Sequence, residues 1–119
     1  NAGLDASGNQ TLTALDSISG GAGSDTINVV MSANATPSST GVETYVVSTS
    51  AAASLNMLGS TGVTSITNKA STNTLTVNNI SGDVALTLSS TDQGGAFNFD
   101  TAGAKAAQTV NVSSVTGGT

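Results

Sequence analysis

Short runs of alternating residues recur along this chain, and they constrain its fold more than any other feature of the sequence. In each run, β-branched or apolar residues alternate with Thr, Ser or Asn, which is the pattern of a half-buried β-strand. Turns rich in Gly or Ser, such as 59–62 and 81–83, separate the runs. The pattern predicts strands over residues 26–31, 43–48, 54–58, 63–67, 74–80, 84–88, 96–100 and 109–115.

We therefore expect an all-β chain, and two architectures suit strands of this length and spacing. One is a parallel β-solenoid or a mixed β repeat module, and the other is an antiparallel β-sandwich. The absence of Asn-Gly and Asp-Gly hairpin dipeptides favours the solenoid. So do the many Thr and Asn residues, which can stack in ladders between turns. Only residues 101–108 have a helix-like composition, and they predict at most one helical turn.

Residues 1–119 have the size of one β-rich module. The sequence has no initiator Met, no signal-peptide pattern and no apolar run near the length of a membrane span. We expect it to be a segment of a longer chain, without a membrane span.

Charge is scarce, and the scarcity excludes several classes of function. Charged residues make up 8% of the chain, against about 25% in typical proteins. The chain has two lysines and seven acidic residues, which gives a net charge of −5. We therefore expect no binding to nucleic acid, whose phosphates require clustered basic side chains. Without His or Cys the chain cannot build the usual nucleophilic triads or zinc thiolate sites. We expect no enzyme activity, and cations as the small partners.

One stretch carries a specific motif. Residues 20–28 match the pattern G-G-x-G-x-D-x-U-x, the calcium-binding nonapeptide of RTX proteins. Glycines let the backbone turn tightly and direct its carbonyl oxygens inward, and an aspartate adds a carboxylate oxygen. The motif predicts a Ca²⁺ site within residues 16–28. Its predicted ligands are Asp16, Gly20, Gly21, Gly23 and Asp25.

Calcium binds about six to eight oxygen ligands, and a single turn of this kind cannot supply them all. A second turn must therefore lie beside it. The preceding nonapeptide, 11–19, keeps Asp16 and Ile18 but lacks the glycines. The alternative is a plain turn before a strand, with Asp25 capping it through its side chain. An EF-hand loop starting at Asp5 is rejected because Gln10 stands where that loop needs glycine, although Asp5 could still contribute to the nearby site.

The motif and its neighbours resemble bacterial S-layer proteins of the type-I-secreted, RTX calcium-binding kind. The segments that carry the resemblance are LDSI (15–18), DTI (25–27), STGVETYVV (39–47) and GVTSIT (62–67), within residues 11–90. The resemblance implies a calcium-dependent β-solenoid that assembles outside the cell, at the cell surface. This sequence departs from it in having one intact nonapeptide and not a series.

Two classes of function remain open. One is a structural, self-assembling module of an S-layer or extracellular fibre, whose partners are copies of itself or neighbouring domains of the same chain. The other is an adhesin repeat that binds a host or surface ligand, for which residues 32–40 are the candidate loop. Cell-surface polysaccharide is a further candidate partner.

Overall fold

The computed structural model describes residues 1–90, 95–99 and 110–113, which contain β-strands and no helix. The predicted helical turn at 101–108 lies outside the described residues. The strands are β1 (Ser17–Ser19), β2 (Thr26–Met31), β3 (Ser38–Thr40), β4 (Thr44–Thr49), β5 (Ala53–Asn56), β6 (Gly59–Thr61), β7 (Ser65–Lys69), β8 (Leu75–Ile80), β9 (Ala85–Ser89), β10 (Gly95–Phe99) and β11 (Val110–Ser113).

The strands form three parallel sheets, which are the walls of a solenoid. Wall 1 has the order β1-β3-β6, wall 2 the order β11-β9-β7-β4-β2, and wall 3 the order β10-β8-β5. The strands β3, β4 and β5, and again β6, β7 and β8, follow one another from wall 1 to wall 2 to wall 3, and the solenoid has about four turns. All named strands pair in parallel, so the predicted all-β solenoid is confirmed and the antiparallel sandwich is wrong.

Alternation along each strand explains why these sequences build walls around a core. In β4 the side chains alternate between half-buried and buried, and in β2 they alternate between exposed or half-buried and buried. Since neighbouring turns are in register, like positions stack on one another. One inward ladder of wall 2 runs through Ile27, Tyr45, Ile66 and Leu86, and one of wall 3 through Leu55, Val77 and Phe97. The core therefore consists of columns of apolar side chains along the solenoid axis.

The largest side chain of this core has a polar end, and wall 1 accommodates it. Tyr45 is fully buried, and its hydroxyl donates to Ser39 Oγ at 2.9 Å and lies 3.5 Å from Ser60 Oγ. Ser39 and Ser60 are stacked partners on β3 and β6 and are themselves buried. Small serines on wall 1 thus leave room for the ring from wall 2 and satisfy its hydroxyl.

A second buried polar group lies on β7, the middle strand of wall 2. Asn68 is fully buried on β7, stacked between Val47 and Leu88, and its Oδ1 accepts a hydrogen bond from Ser71 Oγ. Ser71 Oγ also accepts the backbone N–H of Thr49 at 3.0 Å. Asn68 Nδ2 has no partner. These hydrogen bonds join the corner after β7 to Thr49, at the end of β4 in the preceding turn.

The prediction was wrong for the short strands of wall 1. Residues 59–62 were predicted as a turn, but Gly59–Thr61 is β6 and pairs with β3. Residues 32–40 were predicted as an irregular loop, but Ala35 pairs with Leu55 and Ser38–Thr40 is β3. Pairing with the next turn supplies the strand, although three residues of Ser, Thr and Gly carry little hydrophobic pattern.

No helix long and apolar enough to cross a bilayer occurs in residues 1–90, 95–99 and 110–113.

Replacing Tyr45 with Phe should lower the free energy of unfolding by about 1–3 kcal/mol, because Ser39 and Ser60 lose a buried partner. Urea unfolding measures the change. Adding Ser39→Ala to Tyr45→Phe should cost less than the sum of the two single changes, since both partners are then removed. A Tyr45→Phe variant that is as stable as the unaltered chain would contradict the assignment of this hydrogen bond.

Candidate functional site

The glycine-rich motif forms the corner between β1 and β2, where the first described turn passes from wall 1 to wall 2. Gly21 and Gly23 have φ angles of 92° and 121°, in the left-handed region that favours glycine. The same corner recurs in later turns at Gly41, Gly62 and Gly82, all with positive φ. The first corner contains six residues, 20–25, whereas the second contains three, 41–43. The motif is therefore an enlarged version of a corner that repeats along the solenoid.

Two of these corners are in close contact. A Cβ atom added to Gly20 would lie 1.7 Å from the carbonyl oxygen of Gly41, and one added to Gly41 would lie 2.8 Å from the carbonyl oxygen of Gly21. The Gly20 N–H donates to Thr40 O at 3.0 Å. The glycine at position 20 is thus required by the backbone of the next turn.

Asp25 ends this corner, and its backbone links three residues of the stack. Its carbonyl oxygen accepts the N–H groups of Glu43 at 3.2 Å and Thr44 at 3.1 Å. Its own N–H donates to Glu43 Oε2 at 2.8 Å. Asp25 Oδ2 is buried and has no hydrogen-bond partner. A buried carboxylate oxygen without a donor suits a cation, since burial without compensation is costly.

Glu43 belongs to this corner, and the sequence prediction did not include it. The sequence predicts it at the start of a strand, whereas the structure places it in the corner before β4 and brings its carboxylate to the amide of Asp25, 18 residues earlier. Asp25 and Glu43 precede paired strands of successive turns, but the spacing between turns changes from 18 to 21 residues, so no fixed period in the sequence marks Glu43. Glu43, and not the Asp25 side chain, caps the turn.

Asp16 lies beside the same corner but has partners of its own. Its Oδ2 accepts the Thr13 N–H at 2.6 Å and the Thr13 hydroxyl at 3.2 Å, which closes a turn over residues 13–16. Asp16, Gly20 and Asp25 all line a cavity of about 480 Å³ at the end of the solenoid where the chain begins. Gly21 and Gly23 are exposed and do not line it. The structure therefore gathers three of the five predicted ligands around one cavity.

Asp5 does not contribute to this cavity. Its Oδ1 accepts the N–H groups of Ser7 and Asn9, both at 2.8 Å, and its Oδ2 accepts Asn9 Nδ2 at 3.2 Å. The hydrogen bonds from the backbone and side chain of Asn9, with that from the Ser7 backbone, hold the pKa of Asp5 below its ordinary value of 3.8. Both carboxylate oxygens are thus engaged within the loop 5–9.

The donor set fits a hard cation only in part. Asp25 Oδ2 offers an unpaired carboxylate oxygen, and the corner adds backbone carbonyls, which are ligands that calcium accepts. Within the part of the chain that the structure describes, no three acidic side chains lie close enough together to hold a metal ion. A calcium ion here would take Asp25 and Asp16 as its carboxylates and draw the remaining oxygens from the backbone and from water.

Comparisons of the chain with protein-family models, with curated proteins and with solved structures each found no match.

Changing Gly20 to Ala should lower the free energy of unfolding by more than about 2 kcal/mol, because the methyl group must displace the backbone of Gly41. Gly3→Ala is the matched control, since a Cβ there meets nothing within 4 Å and should change stability by less than about 0.5 kcal/mol. Urea unfolding of the two variants gives the comparison. Equal stability of the two variants would contradict the close approach of the corners.

Proposed function

We propose that this chain is a structural, self-assembling module of a bacterial S-layer or extracellular fibre, stabilised by calcium. Its partners are copies of itself or neighbouring domains of the same chain, and its role is structural and not catalytic. The observation that carries the proposal is the outer surface of wall 2. That surface consists mainly of in-register ladders of small, uncharged side chains.

Two outward ladders define this surface. One runs through Thr26, Thr44, Ser65 and Ala85, and the other through Asn28, Val46, Thr67 and Thr87. Neither contains a charged side chain. The one charged residue on the described part of this face is Lys69, which is exposed at the end of β7 and pairs with Ser89. A regular neutral surface can approach an identical surface without like-charge repulsion, and its repeat matches itself along the axis. Such a surface favours lateral packing of copies.

Calcium has a physical role in this proposal. In a chain of net charge −5, Asp16 and Asp25 line one cavity without a basic side chain among its lining residues. A divalent cation between them would replace like-charge repulsion with attraction. It would also give the buried Asp25 Oδ2 a partner. Calcium would therefore stabilise the first turn and any assembly that includes this end.

The adhesin alternative has less support, because its candidate loop is not a free loop. The segment 32–40 is fixed to its neighbours: Gln10 Oε1 accepts the N–H groups of Ser32 and Ala33, and Asn34 Oδ1 accepts the Ser54 N–H at 2.8 Å. Loops that recognise variable ligands usually extend from a scaffold, whereas this segment is part of the stack.

Calcium should raise the melting temperature of the purified chain and promote ordered arrays visible by electron microscopy. At about 100 times the dissociation constant, calcium bound only to the folded state adds about 2.7 kcal/mol. Asp25→Asn keeps the shape of the side chain but removes its charge, so both responses should be lost.

Asp83→Asn is the control, because it removes an equal charge from an exposed corner of another turn. It should keep the calcium response. A chain that stays monomeric and melts at the same temperature with calcium and with chelator would contradict the proposal.

A further inference from the structure

The first twelve residues, here called the N-terminal strap, lie across the end of the solenoid. The Ala2 N–H donates to Asn28 O at 2.7 Å, and the Val30 N–H donates to Ala2 O at 2.8 Å. Ala2 therefore pairs with β2 in parallel, as the next strand of wall 2 would. The strap thus occupies two of the backbone groups at the edge of β2 that could otherwise pair with another chain.

Two side chains hold the strap in place. Leu12 is 2% exposed and packs in the core cluster, so it closes the end of the apolar columns. Gln10 bridges the strap to the corner after β2, since its Oε1 accepts the N–H groups of Ser32 at 2.9 Å and Ala33 at 3.0 Å. Apart from Ala2, the attachment of the strap thus depends on one leucine and one amide.

The strap packs incompletely on the turn beneath it. The cavity of about 480 Å³ is lined by Ala2 and Leu12 from the strap and by Ile18 and Ile27 from the first turn. Ile18 is only partly buried under the strap. A segment that leaves such a space loses fewer contacts when it moves away than one packed at core density.

The opposite end of wall 2 has a complementary edge. In the described residues β11 is the outermost strand there, and it runs parallel to β9 and so to β2. When two copies of the solenoid are placed head to tail, β11 of one copy lies parallel beside β2 of the next. Parallel pairing would continue wall 2 from one copy into the other, but Ala2 already holds Asn28 O and the Val30 N–H, two of the groups of β2 that this pairing uses.

We infer that the N-terminal strap is a displaceable block on head-to-tail stacking, and that the partner it excludes is a second copy of this chain. The inference rests on the proposed self-assembly. It adds that the copies stack head to tail and that the strap must move away before they do. If the displaced state is a minor one, at about 0.1–10% of molecules, the strap lowers the apparent affinity between copies by the inverse of that fraction. Opening the strap should therefore raise that affinity at least about tenfold.

Leu12→Asp opens the strap, because a carboxylate cannot remain among the apolar columns. Leu15→Asp is the matched control, since Leu15 is 94% exposed and close in sequence to Leu12. Sedimentation velocity over a range of concentrations should show association of Leu12→Asp with a dissociation constant at least about tenfold lower than that of Leu15→Asp. Equal association of the two variants would overturn the inference. If circular dichroism shows that Leu12→Asp is unfolded, Gln10→Ala takes its place with the same criteria.

A disulfide can hold the strap closed. Ala2 and Val29 are paired in register, and the chain has no cysteine, so Ala2→Cys with Val29→Cys introduces a single possible disulfide. Placed in the Leu12→Asp chain, the oxidised pair should suppress association, and a reductant should restore it. Association that is equal in the oxidised and reduced forms would show that copies meet elsewhere and would overturn the inference.

The same samples separate this inference from the proposed function. Calcium-dependent arrays that form equally from locked and unlocked protein would overturn the strap inference and leave the proposed function in place. Head-to-tail association that depends on strap opening, without arrays in calcium, would support the strap inference and overturn the proposed lattice.

Discussion

The solenoid depends on backbone hydrogen bonds at the corner where each turn enters wall 2. Asp25 O accepts the N–H groups of Glu43 and Thr44, Glu43 O accepts those of Thr64 and Ser65, and Thr64 O accepts that of Ala85. These bonds set which residue of one turn lies over which residue of the next. Because they require the corners to approach closely, Gly20 and Gly41 must lack side chains. The register of wall 2 and the columns of the core follow from this contact.

The same stacking explains the unusual composition. In parallel, in-register strands each residue lies about 4.8 Å from its counterpart in the next turn, so equal charges at two stacked positions would repel each other. Small polar residues avoid this repulsion and can bond along the stack, as Asn79 Nδ2 does to Asn56 Oδ1 and Asn98 Nδ2 to Asn78 Oδ1. The low charge of the walls is therefore a consequence of the fold. Lateral assembly of copies can use this low charge. The acidic side chains of Asp25 and Glu43 lie at corners, where the turns differ in length, and Lys69 lies at the end of β7.

The sequence predicted walls 2 and 3 because their strands are long enough to show the alternation of buried and exposed residues. It missed wall 1, whose strands have three residues each and include Gly59 and Ser60. At the candidate site it predicted the glycine corner with Asp16 and Asp25, since the nonapeptide is a local pattern. It missed Glu43, the Tyr45–Ser39 pair and the burial of Asn68, because these depend on the spacing between turns. That spacing is 18 residues from Thr26 to Thr44 and 21 from Thr44 to Ser65, so no single period predicts it.

The most direct test of this account is a measurement of through-hydrogen-bond scalar couplings by nuclear magnetic resonance on the labelled chain. The account predicts couplings that join the Thr44 amide to the Asp25 carbonyl, the Ser65 amide to the Glu43 carbonyl, and the Ala85 amide to the Thr64 carbonyl. Amides of wall 2 coupled instead to carbonyls of antiparallel neighbours along the chain would contradict the stacked corners. The solenoid, the site and the strap would then all have to be abandoned.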